Sequence, residues 1–347
     1  MRIDNLRISK THTLVSPAQL AEQFPLSESA SQSIATYRKS LESIMDGSDP
    51  RLAIIIGPCS IHDPGAALEY ARKLYDLSER VSDKLFVIMR VYFEKPRTIV
   101  GWKGLINDPH LDGSYKINEG LSIARKLLVD INSIGLPAGT EFLDTILGQY
   151  YADLITWGAI GARTAESQVH RELASGLSMP VGIKNRTDGN VRVAVEACQA
   201  SRQKHLFPSL TKEGAASILE TSGNPYAHLV LRGGSESGSN YDAESLAKSI
   251  ALLRNAELPP KIMLDCSHAN SGKRASKQIE IAINILQQNN PAVFSLMIES
   301  NLVGGRQDDK AHPLKYGQSI TDECLGWEES AELIYRIHSH LSSGSSD

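Results

Sequence analysis

The sequence predicts an α/β chain: a (β/α)8 TIM barrel with an N-terminal extension and inserted loops. Three observations lead there. From Arg51 onward, short apolar β-branched runs alternate with amphipathic helical stretches. There are eight such pairs, whereas doubly wound sheets, which also alternate, usually have fewer strands. Each run also ends at or just before a charged or metal-ligating side chain, as expected where barrel strand tips meet at one mouth.

The first 50 residues are mixed and polar. Residues 16–25 read as a short helix closed by Pro25, and 28–45 as a longer one broken by Gly47. This segment reads either as a cap on the barrel or as a regulatory or oligomerising arm, with the catalytic barrel spanning 51–347. Strands are expected at 52–56, 85–91, 136–141, 159–163, 181–184, 228–232, 261–265 and 293–298. Helices are expected at about 65–80, 117–134, 145–156, 165–178, 188–202, 241–256, 275–289 and 327–341. The clearest is 117–134, with apolar residues at 117, 121, 124, 128 and 131 and Gly135 as C-cap. Stretches 92–116, 203–227 and 301–326 are inserted loops, and 203–227 is the place for a small hairpin.

Composition narrows the function. The chain has 347 residues, 41% of them hydrophobic, and a net charge of −4, which argues against a nucleic-acid binder. Clustered cations in such a chain are aimed at a small anion. The cysteines at 59, 198, 266 and 324 form no CxxC pair, so the chain is expected in a reducing compartment, the cytoplasm. The N-terminus lacks an apolar signal core, and no apolar run reaches transmembrane length.

The first strand, Ile54-Ile55-Ile56, is stopped by Gly57-Pro58, which puts Cys59 at its tip. Asp63 then caps a helix with Pro64 at its first position. Alone, Cys59 would be a small buried hydrophobe, His268 a satisfied core histidine and Arg232 a surface charge. But the strand ends together deliver Cys59, Arg90, Glu141, Arg163, Lys184, Arg232, His268 and Glu299 to one mouth. Cys59, His268 and Glu299, with Asp322 from the last long loop, combine thiolate, imidazole and carboxylate. That donor set suits a divalent transition ion (Mn, Fe, Co or Zn) and not Ca or Mg. Cys266 is a competing thiolate, but strand alternation turns it away from Asp265 and His268 into the core. Arg90, Arg163, Lys184 and Arg232 can hold a small molecule bearing both phosphate and carboxylate. The Pro-stiffened loop Glu94-Lys95-Pro96-Arg97-Thr98 offers a second phosphate site.

These residues resemble the type I (class Iα) 3-deoxy-D-arabino-heptulosonate 7-phosphate (DAHP) synthases, the entry enzymes of the shikimate pathway. The resemblance covers nearly the whole chain. It includes Gly57-Pro58-Cys59-Ser60-Ile61-His62-Asp63, Met89-Arg90-Val91-Tyr92-Phe93-Glu94-Lys95-Pro96-Arg97-Thr98 and Gly101-Trp102-Lys103-Gly104. Further matches are Gly158-Ala159-Ile160-Gly161-Ala162-Arg163-Thr164, Leu231-Arg232-Gly233-Gly234, Ser267-His268-Ala269-Asn270 and Ser319-Ile320-Thr321-Asp322. It implies condensation of phosphoenolpyruvate with erythrose 4-phosphate and water, giving the seven-carbon acid phosphate and inorganic phosphate. By the same resemblance Cys59, His268, Glu299 and Asp322 hold the metal. Arg90, Arg163, Lys184 and Arg232 hold phosphoenolpyruvate, with the Gly161-Ala162 backbone at its phosphate and Glu141 alongside. Lys95, Pro96, Arg97 and Thr98 take erythrose 4-phosphate. Lys95 is the candidate to protonate or stabilise the developing alkoxide; Glu141 or a water on the metal would activate the attacking water.

Two further expectations follow from the resemblance. The family commonly assembles as dimers or tetramers and is inhibited by an aromatic amino acid. The effector site would lie near Gly148-Gln149, the turn at Ser178, the 205–220 insert with Ser209, and the N-terminal arm. One position departs: the family usually reads Lys-Asn-Gly-Thr-Asp-Gly where this chain has Lys184-Asn185-Arg186-Thr187-Asp188-Gly189. If that glycine needs positive φ or close backbone approach, Arg186 is costly and a catalytically weak, ligand-binding paralogue becomes the alternative; otherwise Arg186 adds a cation near bound phosphate. A related octulosonate phosphate synthase, using a pentose phosphate, is a third reading.

Overall fold

The structure, a computed structural model, describes residues 3–97, 99 and 101–343. Local signals place its first elements. Ser16 and Gln19 form a reciprocal capping box at the start of α1 (Pro17–Gln23), with bonds of 3.1 and 3.2 Å. Ser27 caps α2 (Glu28–Asp46), which ends where Gly47 takes φ +84°. Leu41, Ile44 and Met45 of α2 pack with Phe86 and Phe294. Arg38, also from α2, donates to the carbonyl of Ala152 at 2.9 Å.

The barrel then begins with β1 (Leu52–Gly57), α3 (Pro64–Arg80), β2 (Leu85–Arg90), α4 (Ile117–Ile134), β3 (Ala138–Glu141) and α5 (Gly148–Tyr151). It continues through β4 (Trp157–Ile160), α6 (Gln168–Gly176), β5 (Val181–Lys184) and α7 (Arg192–Ser201). A hairpin follows, β6 (Leu206–Leu210) paired antiparallel with β7 (Ala216–Glu220). The chain returns with β8 (Ala227–Leu231), α8 (Ala243–Asn255), β9 (Ile262–Asp265), α9 (Lys277–Gln287) and β10 (Val293–Glu299). Last come the short parallel pair β11 (Val303–Arg306) and β12 (Gln318–Ser319), and α10 (Trp327–Ser343). Strands β1–β5 and β8–β10 form one closed parallel barrel, and β10 returns to pair with β1 in the register Gly57↔Glu299.

Strand alternation turns Ile55, Ile88, Trp157, Val230 and Met263 into a shared interior cluster, while a larger one joins the helices to the outer face. The Trp157 indole N–H donates to His228 Nε2 at 3.2 Å, and His228 Nδ1 lies 2.9 Å from the carbonyl of Tyr226. Burial drives the His228 pKa down to about 4.

Asp63 caps α3 as expected, accepting from Ala66 N at 3.1 Å, and Gly135 ends α4 at φ +97°. Other boundaries need correction. The fourth strand stops at Ile160, so Arg163 lies in a following turn whose Thr164 N–H donates to Gly161 O at 3.1 Å. The helix expected at 145–156 is one turn, α5, and a 3-10 turn at Ala152–Leu154. Asp144 spends its carboxylate on the N–H groups of Ile146 and Leu147, making a turn first. The seventh helix starts at Arg192, after Gly189 turns at φ +110°.

Candidate active site

The strand tips converge. Arg90, Glu141, Arg163, Lys184, Arg232 and His268 line one cavity of about 760 Å³ together with Lys95, Pro96, Arg97, Ala162 and Asp322. Cys59, Glu299 and Gly161 do not line the cavity; they are buried beside residues that do, Cys59 against Lys95, Glu299 against Arg90 and Gly161 against Glu141. Thr98 lies outside the described residues.

Three of the four expected metal ligands come together directly. Ligand atoms of Cys59, Glu299 and Asp322 lie within 4.8 Å of one another. His268 stands beside them with Nε2 3.7 Å from Glu299 Oε1. Its backbone holds φ +51°, a left-handed conformation uncommon for a side-chain-bearing residue, and Lys273 N–H donates to its carbonyl at 2.7 Å. Ser267 Oγ lies 2.8 Å from His268 Nδ1 and donates to Asp265 Oδ1 at 2.6 Å. Asp265 Oδ2 approaches Nδ1 to 2.8 Å as an ion-pair contact rather than an aligned hydrogen bond. This arrangement favours the proton on Nδ1 and leaves the Nε2 lone pair facing Glu299. The donor set fits a divalent transition ion. Cys266, buried with its sulfur 4.0 Å from the carbonyl of Leu264, stands outside the ligand group.

Charge is balanced closely around these atoms. Burial would raise the Asp265 carboxyl, but His268, Lys184 and Ser267 hold it well below the usual range. Asp322 is likewise held down against burial by Lys95 and Lys273, the latter 3.1 Å away. Burial and Glu299 push the Cys59 thiol up, opposed by the Lys95 ammonium at 3.2 Å from Sγ. Lys95 itself stays above its ordinary pKa: burial is outweighed by Cys59 and Glu299.

Two of the cations are held by buried carboxylates. Arg90 is fully buried, donates to Glu299 Oε1 at 3.0 Å and lies 3.9 Å above the Tyr92 ring. Lys184 Nζ donates to Glu141 Oε2 at 2.8 Å. Burial alone would raise Glu141, yet Lys184 keeps it ionised and below its usual range. Gly161 makes room for that carboxylate, since a Cβ there would meet Glu141 Oε1 at 2.5 Å. Burial lowers the pKa of Arg232, whereas Arg163 is exposed on its turn. Lys95 is set by its loop, Lys95 N bonding Lys103 O at 2.9 Å, and Arg97 Nε donates to Trp102 O at 2.7 Å.

Arg186 does not line the cavity and its φ is not positive. It pairs with Glu166 and, at 3.0 Å, with Asp188. Sequence reasoning gave no role to Asp265, Tyr92, Lys273 or the Arg306–Asp309 stretch of the cavity wall. The i, i+3 spacing of Asp265 and His268 was the available signal for the first.

In the region expected for an effector, Gly148 is buried against Phe142, and Gln149 O accepts from Lys212 Nζ at 2.6 Å. Ala18 N donates to Lys212 O at 2.7 Å, and Tyr150 Oη to Val15 O at 2.7 Å, so the N-terminal arm, α5 and the hairpin meet. Ser209 pairs with Ser217 in that hairpin; Ser178 is exposed on a turn held by Asn224, which donates to Met179 O at 2.9 Å.

Comparison with known proteins shows the family. Residues 19–334 match the DAHP synthetase I family. The chain is 53% identical to the Phe-sensitive phospho-2-dehydro-3-deoxyheptonate aldolase of Escherichia coli, over 96% of each chain. It is 50% identical to a Trp-sensitive counterpart from Enterobacter agglomerans, again over 96% of each. A solved phospho-2-dehydro-3-deoxyheptonate aldolase from Francisella tularensis superimposes with a TM-score of 0.95 at 49% identity, covering 96% of this chain and 98% of that one. With the closed parallel barrel and these full-length matches in agreement, the chain belongs to the DAHP synthetase I family.

Proposed function

We propose that this chain condenses phosphoenolpyruvate with erythrose 4-phosphate and water to give 3-deoxy-D-arabino-heptulosonate 7-phosphate and phosphate. The observation that carries the reading is the Cys59–Glu299–Asp322 group set against a cavity lined by Asp322, Arg90, Lys95, Arg163, Lys184 and Arg232. Cys59, His268, Glu299 and Asp322 would hold a divalent transition ion, which when bound supplies Lewis acidity toward the aldehyde oxygen.

The chain's own groups do the rest. Arg90, Arg163, Lys184 and Arg232, with the backbone at Gly161-Ala162, bind the phosphate and carboxylate of phosphoenolpyruvate and keep its enol carbon facing the metal side. Lys95 and Arg97 hold the erythrose phosphate chain in the same cavity, and the Lys95 ammonium stabilises or protonates the developing alkoxide. Glu141 orients Lys184; once substrate phosphate engages that ammonium, the carboxylate is freed to accept a proton from the water that adds to C2. Phosphate then leaves with C–O cleavage.

Phosphoenolpyruvate consumption with erythrose 4-phosphate tests this, run before and after EDTA and again with Mn²⁺. Chelator-sensitive turnover that returns with metal supports the reading; undiminished turnover in stripped protein overturns the metal's role. A five-carbon aldose phosphate in the same assay separates it from the octulosonate reaction. The relatives' names, and the junction of N-terminal arm, α5 and hairpin, further support feedback by an aromatic amino acid bound there. Added Phe, Tyr or Trp should slow turnover, and Gly148 and Ser209 variants should change which one does.

A further inference from the structure

We propose that Tyr92 is a positioning residue whose ring face fixes the spacing of two buried cations, Arg90 and Lys184, for phosphoenolpyruvate binding. The inference rests on the reading of the site given above.

Tyr92 follows Arg90 by two residues, just past the end of β2, and is 2% exposed. Its ring packs down onto the barrel-interior cluster and forms part of the cavity lining. Above it the Arg90 guanidinium carbon lies 3.9 Å from the ring centroid, and Lys184 Nζ lies 5.3 Å from the same centroid. Both distances fall within cation–π range, where a desolvated cation is held most strongly. The two cations have different carboxylate partners: Arg90 has Glu299 in the ligand group, Lys184 has Glu141 on the phosphate side. The ring is therefore the body that both cations share. The Asp265 carboxylate also acts on both charges, and the ring adds the contact surface that sets their separation in a poorly solvated cavity.

The phenol oxygen is buried and has no hydrogen-bond partner among the described residues. The contact with the cations is thus made by the π face, and the hydroxyl is dispensable to it. Ring electronics and side-chain shape can be varied separately.

The test measures equilibrium phosphoenolpyruvate affinity of metal-loaded protein by calorimetry, with turnover measured alongside. Tyr92→Phe should keep wild-type affinity. Tyr92→Leu should bind phosphoenolpyruvate about tenfold more weakly. Phenylalanine analogues at 92 carrying one, two and three ring fluorines keep the shape but drain the π face, and affinity should fall stepwise along the series. KM for phosphoenolpyruvate should rise in parallel while KM for erythrose 4-phosphate stays put. Affinity indifferent to fluorination, or retained in Tyr92→Leu, overturns the proposal, and the fluorinated series decides the matter even if the leucine variant does not fold. Wild-type protein that binds phosphoenolpyruvate without condensing it would sink the reaction but leave the ring series decisive; wild-type protein that does not bind it overturns both.

Discussion

Ser267 Oγ bridges His268 Nδ1, at 2.8 Å, to the buried carboxylate of Asp265, at 2.6 Å, so the orientation of the imidazole is set from behind. Asp265→Asn removes the anion while keeping the shape. Metal affinity and turnover should each drop about 10- to 100-fold, with the fold intact. A metal titration of the variant that matches wild type would rule this out.

The Lys184–Glu141 pair is buried on both sides. Glu141→Ala strands the ammonium and should lower stability by about 3–5 kcal/mol in denaturant unfolding. Adding Lys184→Met should recover much of that loss, since the stranded charge is gone. A double variant as unstable as the single one would mean that the pair is not what holds this wall.

Gly161→Ala drives a methyl against Glu141 Oε1, a predicted separation of 2.5 Å. The carboxylate must move and release Lys184. Turnover should fall at least tenfold with circular dichroism unchanged, a loss of about 1.4 kcal/mol or more in transition-state stabilisation. Unaltered kinetics would show that the Glu141 position is not critical.

His228 should make the fold acid-sensitive. Its folded pKa, about 4, lies below its unfolded value, near 6.5, so the unfolded chain binds the proton first. The stability this residue contributes is full above about pH 6.5 and is lost as pH falls toward 4, up to about 3 kcal/mol. Unfolding free energies at pH 7 and pH 5 should show the slope. His228→Gln, which keeps an acceptor for Trp157, should flatten it; an equal slope in the variant would assign the effect elsewhere.

Arg186→Gly removes an ion-pair network at the surface, with Arg186 and Glu166 both substantially exposed. Its effect on stability should stay within about 1 kcal/mol, and turnover should change less than about twofold. A large gain in activity would restore the idea that this arginine crowds the site.

The barrel was legible because strands buried on both faces, such as Leu52–Gly57 and Leu85–Arg90, read as short apolar runs and because each run ended at or near a group with chemistry. Cys59, Arg90, Glu299 and Lys184 could be placed from that alone. The bounds of β4 were not legible: Trp157-Gly158 looks no more strand-like than Ala162-Arg163, and pairing of Gly158, Ala159 and Ile160 with Val181, Gly182 and Ile183 decides them. Helix α5 was overestimated because apolar spacing outlasts the Asp144 turn that consumes its first N–H groups. Tyr92 was invisible as a site residue because an aromatic after a strand reads as core, and it is core; only the approach of two cations from above gives it a second role. Arg186 misled in the other direction, since a residue type carries no information about whether its side chain turns inward or out.

The register Gly57↔Glu299 joins the first barrel strand to the last, and the ligand group straddles that seam. Cys59 lies near the beginning of the barrel, whereas Glu299 and Asp322 come from near its end. A chain emerging in sequence cannot assemble these ligands until nearly all of the barrel exists. An ion bound there would act as a fastener across the closing contact, so that affinity for metal would also be resistance to opening. Metal uptake during refolding would then mark the moment of ring closure, the slow long-range step of such a topology, rather than the collapse that precedes it.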